Sequence, residues 1–239
     1  MNGLDKKVFE EAIMGKESKI IDLTHVLSGD MPFWDEASGF ELILNIDYKD
    51  CVPPNLFRTQ KIQGTTGVGT HMDAPAHVVP GGRTIDQLVL AELVVGGIII
   101  DVSGQATEDY VIMPEVLEKF EQAHGQIPAG SLVIFYTGWD KRWATPAQYH
   151  NGHKFPSVHV STAEVLVKRN IAGLGIDTLS CDTGKNGFPV HRAVLGADKY
   201  LIENIANAGG LPATGAELFA LPIKIKDATE APVRLIAVI

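Results

Sequence analysis

The apolar residues of this chain come in short runs, and that pattern limits the folds it can adopt. The longest run, residues 93–100, is far shorter than the ~20 residues that a membrane-spanning helix needs. Runs of this length, bounded by turn residues, indicate strands that are buried on both faces. The β-rich runs lie at residues 20–24, 40–46, 93–102, 131–136, 172–177 and 233–239.

Helices are predicted between some of these strands. Residues 113–120 place Pro114 at the start of a helical pattern that ends before Gly125. Ser161 and Glu164 have the spacing of a capping box, which predicts a helix over residues 163–169. The alternation of strands and helices predicts a mixed α/β fold, and the absence of a linker-like stretch predicts a single domain over residues 1–239.

Composition excludes several classes of protein. The formal net charge of −9 argues against nucleic acid as a partner, because phosphate binding needs clustered lysine and arginine. Cys51 and Cys181 offer neither a disulfide framework nor a zinc pair, and Cys181 is expected to be a small buried thiol rather than a nucleophile. The charged stretch at residues 6–11 is unlike a signal peptide. We therefore expect a cytoplasmic protein with no membrane partner.

Residues 69–77, Gly-Thr-His-Met-Asp-Ala-Pro-Ala-His, carry the strongest chemical signal in the chain. In an extended backbone His71 and Asp73 point to the same side, so one cation can contact both. Pro75 restricts the backbone that leads to His77, which keeps a third polar side chain nearby. The stretch predicts a metal-binding or catalytic loop.

A second polar group lies far downstream, at His191 and Glu203. On one unbroken helix these residues would be ~18 Å apart, too far to share an ion. Gly196 is placed to end a first helix, and Asp198 to cap a second one that carries Glu203. Glu203 stands among apolar residues, where a carboxylate must be paired, protonated or bound to a cation. On these residues alone, a hydrogen-bonded structural Glu203 stays an open alternative.

These motifs together resemble the cyclase family of metal-dependent hydrolases. Further similarity lies at residues 21–25, 31–34 and 175–182, and it extends from about residue 20 to residue 239. The best-known members are bacterial kynurenine formamidases, and isatin hydrolases are related to them. The resemblance implies a swivelling β/β/α-type mixed sheet or barrel with flanking helices, a homodimer or larger homo-oligomer, and one or two divalent ions.

The resemblance also implies roles for individual residues. His71, Asp73, His191 and Glu203 would be metal ligands, and His77 would be the general acid/base. The family signature is His-x-Gly-Thr-His-x-Asp-x-Pro-x-His, but this chain has Gly67 where the signature begins with histidine. We therefore expect one ion rather than two, either Zn²⁺ or Mn²⁺, with Gln63 or a water molecule in place of the missing imidazole.

The implied activity is hydrolysis of an aryl amide C–N bond by metal-bound hydroxide. N-formylkynurenine is the expected substrate, giving kynurenine and formate in tryptophan catabolism, and a cyclic amide such as isatin, or a lactone, is the alternative. A catalytically inactive metal-binding protein is the alternative of another class, although the presence of His77 favours an enzyme. Phe33 and Trp34 are candidates for an aromatic substrate wall and His25 for orienting the substrate, but each fits a structural role equally well.

Overall fold

The centre of the fold is a mixed sheet that closes on itself. The computed structural model describes residues 18–35, 39–185 and 187–239, so the charged stretch at residues 6–11 lies outside the described residues. The strands are β1 (Ile20–Asp22), β2 (Phe40–Ile46), β3 (Thr59–Gly64), β4 (His71–Asp73), β5 (Val94–Asp101), β6 (Val111–Ile112), β7 (Leu132–Tyr136), β8 (Ser157–Val158), β9 (Gly173–Ile176), β10 (Tyr200–Glu203), β11 (Ala216–Pro222) and β12 (Glu230–Val238).

The order of the main sheet is β1-β12-β11-β5-β7-β9-β10-β4, and a further pairing of β4 with β12 closes it. Strands β5, β7, β9 and β10 pair in parallel, while β4, β11 and β12 pair antiparallel with their neighbours. Seven strands therefore form a barrel-like ring, with β1 added along one end of β12. The predicted α/β domain with a barrel and flanking helices is confirmed, while its extension to residue 1 stays a prediction.

The described residues form five α-helices: α1 (Leu90–Leu93), α2 (Glu115–His124), α3 (Pro146–His150), α4 (Val160–Lys168) and α5 (Pro189–Leu195). Helices α2, α4 and α5 pack on one side of the ring. Strand β7 shows why its sequence is apolar throughout: Leu132 and Ile134 belong to one core cluster, while Val133 and Phe135 belong to a second cluster that includes residues of α2, α4 and α5. Burial on both faces removes the polar alternation of a half-exposed strand, as predicted for this run.

Most predicted elements occur close to where they were expected, with differences at their ends. Helix α2 ends at Gly125, which has a φ of +87°, in agreement with the predicted stop. Helix α4 begins at Val160, and its N-cap is His159, whose ring accepts a hydrogen bond from the backbone N–H of Ser161. The predicted capping box with Ser161 as the cap is therefore wrong, because Ser161 already lies inside the first turn and its hydroxyl contacts His159 Nδ1 at 2.7 Å.

Two small pairs of strands lie outside the ring, one antiparallel and one parallel. Strands β2 and β3 form a hairpin, and β6 pairs with β8. Within the described residues, no helix is long and apolar enough to cross a membrane.

Candidate metal centre

Strand β4 places the polar motif at the closing seam of the sheet. It lies between β10 and β12, and its residues His71 and Asp73 are two positions apart, so their side chains share one face. In the antiparallel registers, Glu203 of β10 is opposite His71 and Glu230 of β12 is opposite Asp73. Directly opposed residues also share a face. Three strands thus bring four polar side chains to one side of the seam.

Helix α5 adds a second imidazole from the other half of the chain. His191 Nε2 lies 3.6 Å from Asp73 Oδ2 and 3.5 Å from Glu203 Oε1. His71 Nε2 lies 3.5 Å from Asp73 Oδ1 and 3.7 Å from Glu203 Oε2. Each carboxylate therefore has one oxygen near each imidazole, and all four side chains are at least nine-tenths buried.

The other nitrogen of each ring is already engaged. His71 Nδ1 is 2.9 Å from the carbonyl oxygen of Gly69, and His191 Nδ1 is 2.8 Å from Asp182 Oδ2. A carbonyl or carboxylate oxygen can only accept, so Nδ1 carries the proton in both rings. In the neutral form each Nε2 then presents its lone pair toward the carboxylates, which is the tautomer that binds a metal ion.

Asp182 also fixes the start of α5. Its carboxylate accepts hydrogen bonds from the backbone N–H groups of Val190 and His191, at 3.2 and 3.0 Å, in addition to the contact with the His191 ring. Phe188, which precedes the helix, has a φ of +56°, an uncommon conformation for a large residue. The same carboxylate therefore sets both the direction of the helix and the orientation of its imidazole.

The donor set fits a divalent cation. Asp73 Oδ1 is buried and has no hydrogen-bond partner within the described part of the chain. A buried carboxylate oxygen without a partner is costly, and a cation removes that cost. Two imidazoles and two carboxylates suit Zn²⁺ and also Mn²⁺. The residues present therefore fit a divalent metal ion.

The surroundings change the protonation of the cluster. Burial acts to lower the pKa of His71, but the charges of Asp73 and Glu203 outweigh it and the pKa is raised. For His191 burial acts in the same direction, yet the hydrogen bond to Asp182 and the neighbouring carboxylates raise the pKa to about 9. Burial raises the pKa of Glu203. Protons therefore compete with a cation for these groups, and cation binding must release them.

The structure brings the predicted ligands together, although Glu203 lies on a strand and not on the predicted helix. His71, Asp73, His191 and Glu203 meet as the motif requires. The predicted second helix carrying Glu203 is wrong, since Glu203 ends strand β10. The predicted stop at Gly196 is correct, because it is the C-cap of α5.

Two residues of the centre were given no functional role by the sequence predictions. Asp182 closes a segment similar to the cyclase family, but its contact with His191 depends on the turn between β9 and α5. Glu230 precedes an ordinary Ala-Pro pair, and only its register opposite Asp73 brings it to the site. Gln63, expected near the position of the missing histidine, is instead exposed on β3. The one local signal for Glu230 is Gly67, whose lack of a side chain leaves room there.

A cavity of about 320 Å³ opens beside the metal centre. Phe33, Trp34 and Phe188 give it aromatic walls, with ring centroids of Trp34 and Phe188 5.6 Å apart. The carbonyl of Trp34 lies within 3.0 Å of a ring nitrogen of both His150 and His153. These two histidines, with no predicted catalytic role, therefore hold the loop that carries the aromatic wall.

The other two predicted site residues differ in position. His77 lines the cavity, and its Nδ1 lies 3.6 Å from Glu230 Oε2. His25 is not among the described residues that line the cavity; it stacks on Trp143 with centroids 3.9 Å apart, and its backbone N–H donates to Thr70. Burial lowers the pKa of His25 to about 4, so its ring is neutral at physiological pH.

Cys181 agrees with its expected role. Its side chain is fully buried, and burial raises its pKa well above the usual value for a thiol. A thiol without thiolate character is a poor nucleophile.

The relation to known proteins agrees with this geometry. Residues 21–183 match the Cyclase family, whose description reads "Putative cyclase". This match covers more than half of the 239 residues, and the chain therefore belongs to the cyclase family. The resemblance expected from the motifs is confirmed.

Several similar proteins have names that specify a reaction. The isatin hydrolase of Roseibium aggregatum is 33% identical over 95% of this chain and 94% of its own length. The kynurenine formamidase of Maricaulis maris is 27% identical over 92% of this chain and 97% of its own length. A solved isatin hydrolase bound to the product analogue thioisatinate has a TM-score of 0.87 at 26% identity, covering 100% of this chain and 99% of that structure. By name, all three relatives are hydrolases.

Proposed function

We propose that this protein is a metal-dependent hydrolase that cleaves the C–N bond of an aryl amide. The observation that carries the proposal is the convergence of two Nε2 lone pairs and two buried carboxylates beside a cavity with aromatic walls. Buried, perturbed titratable groups at a concave site are typical of catalysis. Hydrolases among the relatives support the same chemistry.

The residues of the chain divide the work of hydrolysis. A divalent ion, when bound, supplies Lewis acidity toward a carbonyl oxygen and makes water a nucleophile near neutral pH. His71, Asp73, His191 and Glu203 would hold that ion. His77, at the cavity wall and partly exposed, takes a proton from the attacking water and returns it to the departing nitrogen, because an unprotonated amine leaves poorly. Phe33, Trp34 and Phe188 would bind the aromatic ring by stacking or edge contacts.

The favoured substrate is a cyclic aryl amide of the isatin kind. Isatin hydrolases supply both the 33% identical relative and the structure with a TM-score of 0.87. N-formylkynurenine, the first expectation from the sequence, is the second candidate, supported by the kynurenine formamidase of Maricaulis maris. Four further points stay predictions: Zn²⁺ or Mn²⁺ as the ion, a role in tryptophan catabolism, a cytoplasmic location, and a homodimeric or larger assembly.

The test is turnover of both substrates by protein reconstituted with Mn²⁺ or Zn²⁺. We expect ring opening of isatin to exceed hydrolysis of N-formylkynurenine, and His77→Ala to lower kcat by ~10²–10⁴. His124→Ala is the matched control, since His124 ends helix α2 away from the site and its loss should leave kcat unchanged. Ordinary turnover by His77→Ala would remove the assigned proton carrier. Failure to hydrolyse any amide or lactone with either metal would favour the inactive metal-binding protein.

A further inference from the structure

Glu230 occupies the space in which the family signature places a histidine. A side chain on residue 67 would collide with the carboxylate of Glu230, since a Cβ built on Gly67 meets Glu230 Oε1 well inside van der Waals contact. The same Cβ position is 3.5 Å from His71 Nε2. A side chain at residue 67 would therefore displace the Glu230 carboxylate from its observed position, and both groups would approach the same imidazole.

The carboxylate is held in this place by its neighbours. Strand pairing sets Glu230 opposite Asp73, and the hydroxyl of Thr66 donates to Glu230 Oε2 at 3.3 Å. His77 Nδ1 lies 3.6 Å from the same oxygen. The side chain of Glu230 is 23% exposed and lines the cavity beside the centre.

The two oxygens of Asp73 divide the centre into two positions. Oδ2 lies 3.6 Å from His191 Nε2, and Oδ1 lies 3.5 Å from His71 Nε2. Oδ1 is the buried oxygen without a hydrogen-bond partner, and it lies on the His71 side. One ligand atom each from His71, Asp73 and Glu230 lies within 4.8 Å of the others, a spacing that one cation can span.

We propose that Glu230 replaces the missing imidazole and completes a second cation position with His71 and Asp73 Oδ1. The first position then consists of Asp73 Oδ2, His191 and Glu203. This inference rests on the metal centre of the proposed function and is independent of the substrate. It replaces the expectation of a single ion. That expectation considered the missing histidine at residue 67 but not the carboxylate of Glu230.

The exchange changes the chemistry of the second position. An imidazole suits Zn²⁺, whereas carboxylate oxygens suit Mn²⁺ and Mg²⁺. With two carboxylates and one imidazole, the position of Glu230 should prefer Mn²⁺ more strongly than a position with the signature histidine.

The test measures bound metal rather than activity. Metal-free protein is titrated with MnCl₂ by calorimetry, and bound metal is counted by elemental analysis after dialysis. Wild-type protein should bind two Mn²⁺ per chain, and Glu230→Gln should lose one or bind it at least tenfold more weakly, while the remaining ion keeps its affinity. Glu217→Gln is the matched control, because Glu217 is an exposed carboxylate on β11.

A reciprocal variant covers the case in which Glu230→Gln changes the fold. The double substitution Gly67→His with Glu230→Gly exchanges the two side chains, and it should restore two ions with preference shifted toward Zn²⁺. If wild type and Glu230→Gln bind the same number of ions with the same affinity, the inference is overturned. The hydrolase assignment would survive that result, because it is tested separately by turnover with the first position filled.

Discussion

Asp182→Asn tests how the metal centre is oriented. Asp182 is buried and receives three N–H groups, from the Val190 backbone, the His191 backbone and the His191 ring. A carboxamide has the same shape but only one oxygen, so its NH₂ group must face at least one of these donors. The substitution therefore leaves the proposed ligand His191 in place while it replaces the charged acceptor of the His191 ring N–H with a neutral amide.

The substitution is expected to lower both the folding free energy and the metal affinity. A buried donor left without an acceptor costs about 1–3 kcal/mol of folding free energy. Mutation of the hydrogen-bond partner of a metal-bound histidine typically weakens metal affinity about 10–100-fold, which corresponds to about 1.4–2.7 kcal/mol. The weaker affinity is the diagnostic part, because a merely structural Asp182 would change stability alone.

Competition against a fluorescent chelator measures the dissociation constant, and thermal melting of the metal-free variant measures the folding cost. Asp101→Asn is the control, since Asp101 also accepts a backbone N–H, from Ser103, but lies away from the centre. A folded Asp182→Asn protein whose metal affinity stays within twofold of wild type would show that Asp182 does not orient His191.

Three further outcomes are expected. Removal of metal by a chelator should lower the unfolding free energy by about 2.7 kcal/mol relative to protein with free metal at 100 times its Kd, measured by thermal melting. Gly173→Ala should cost about 1–3 kcal/mol in urea unfolding, because the added methyl collides with the ring of Tyr200, whereas Gly96→Ala meets no atom within 4 Å and should cost less. Since burial lowers the pKa of His25 to about 4 from 6.5, the unfolded chain binds its proton more readily, and stability should fall as pH drops from 6.5 toward 4. After discounting for partial exposure, metal-free wild type should lose about 1–2 kcal/mol more than His25→Phe, which can keep the stacking on Trp143, between pH 7 and pH 5.

Each of these outcomes has a contrary result. Equal melting temperatures with and without chelator would mean that the centre holds no ion under those conditions. Equal costs for the two glycine substitutions would place the Tyr200 ring elsewhere. Parallel pH profiles for wild type and His25→Phe would mean that the ring of His25 is protonated as easily in the folded protein as in the unfolded chain.

Local patterns predicted most strands because burial on both faces makes them continuously apolar. Strands β7 and β9 occur almost where the runs predict them. Residues 200–203 show the limit of that reasoning, because four buried residues fit a helix turn as well as a strand. These residues form a strand because β10 pairs in parallel with β9. Pairing between distant segments has no local signature in the sequence.

The proposed metal ligands were predictable to the extent that their motif was local. His71 and Asp73 follow from the alternation of an extended strand, whereas His191 and Glu203 formed a second polar group whose ligand role was implied by the family resemblance. Glu230 was missed because its role depends on a register, opposite Asp73, that no spacing along the chain indicates. In the sequence, Gly67 indicates only that a histidine ligand is missing. In the structure, the carboxylate of Glu230 lies beside Gly67, and we propose that it replaces this ligand.

The position of β4 between β10 and β12 also orders events on the ribosome. His71 and Asp73 emerge long before either strand that flanks them, and at ~5–20 residues per second the wait for Glu230 is on the order of ten seconds. Until His191 is made, a nascent chain offers an ion only two of the proposed ligands. Tight cation uptake is therefore expected to be a late step, and a translation product interrupted before residue 191 should retain none.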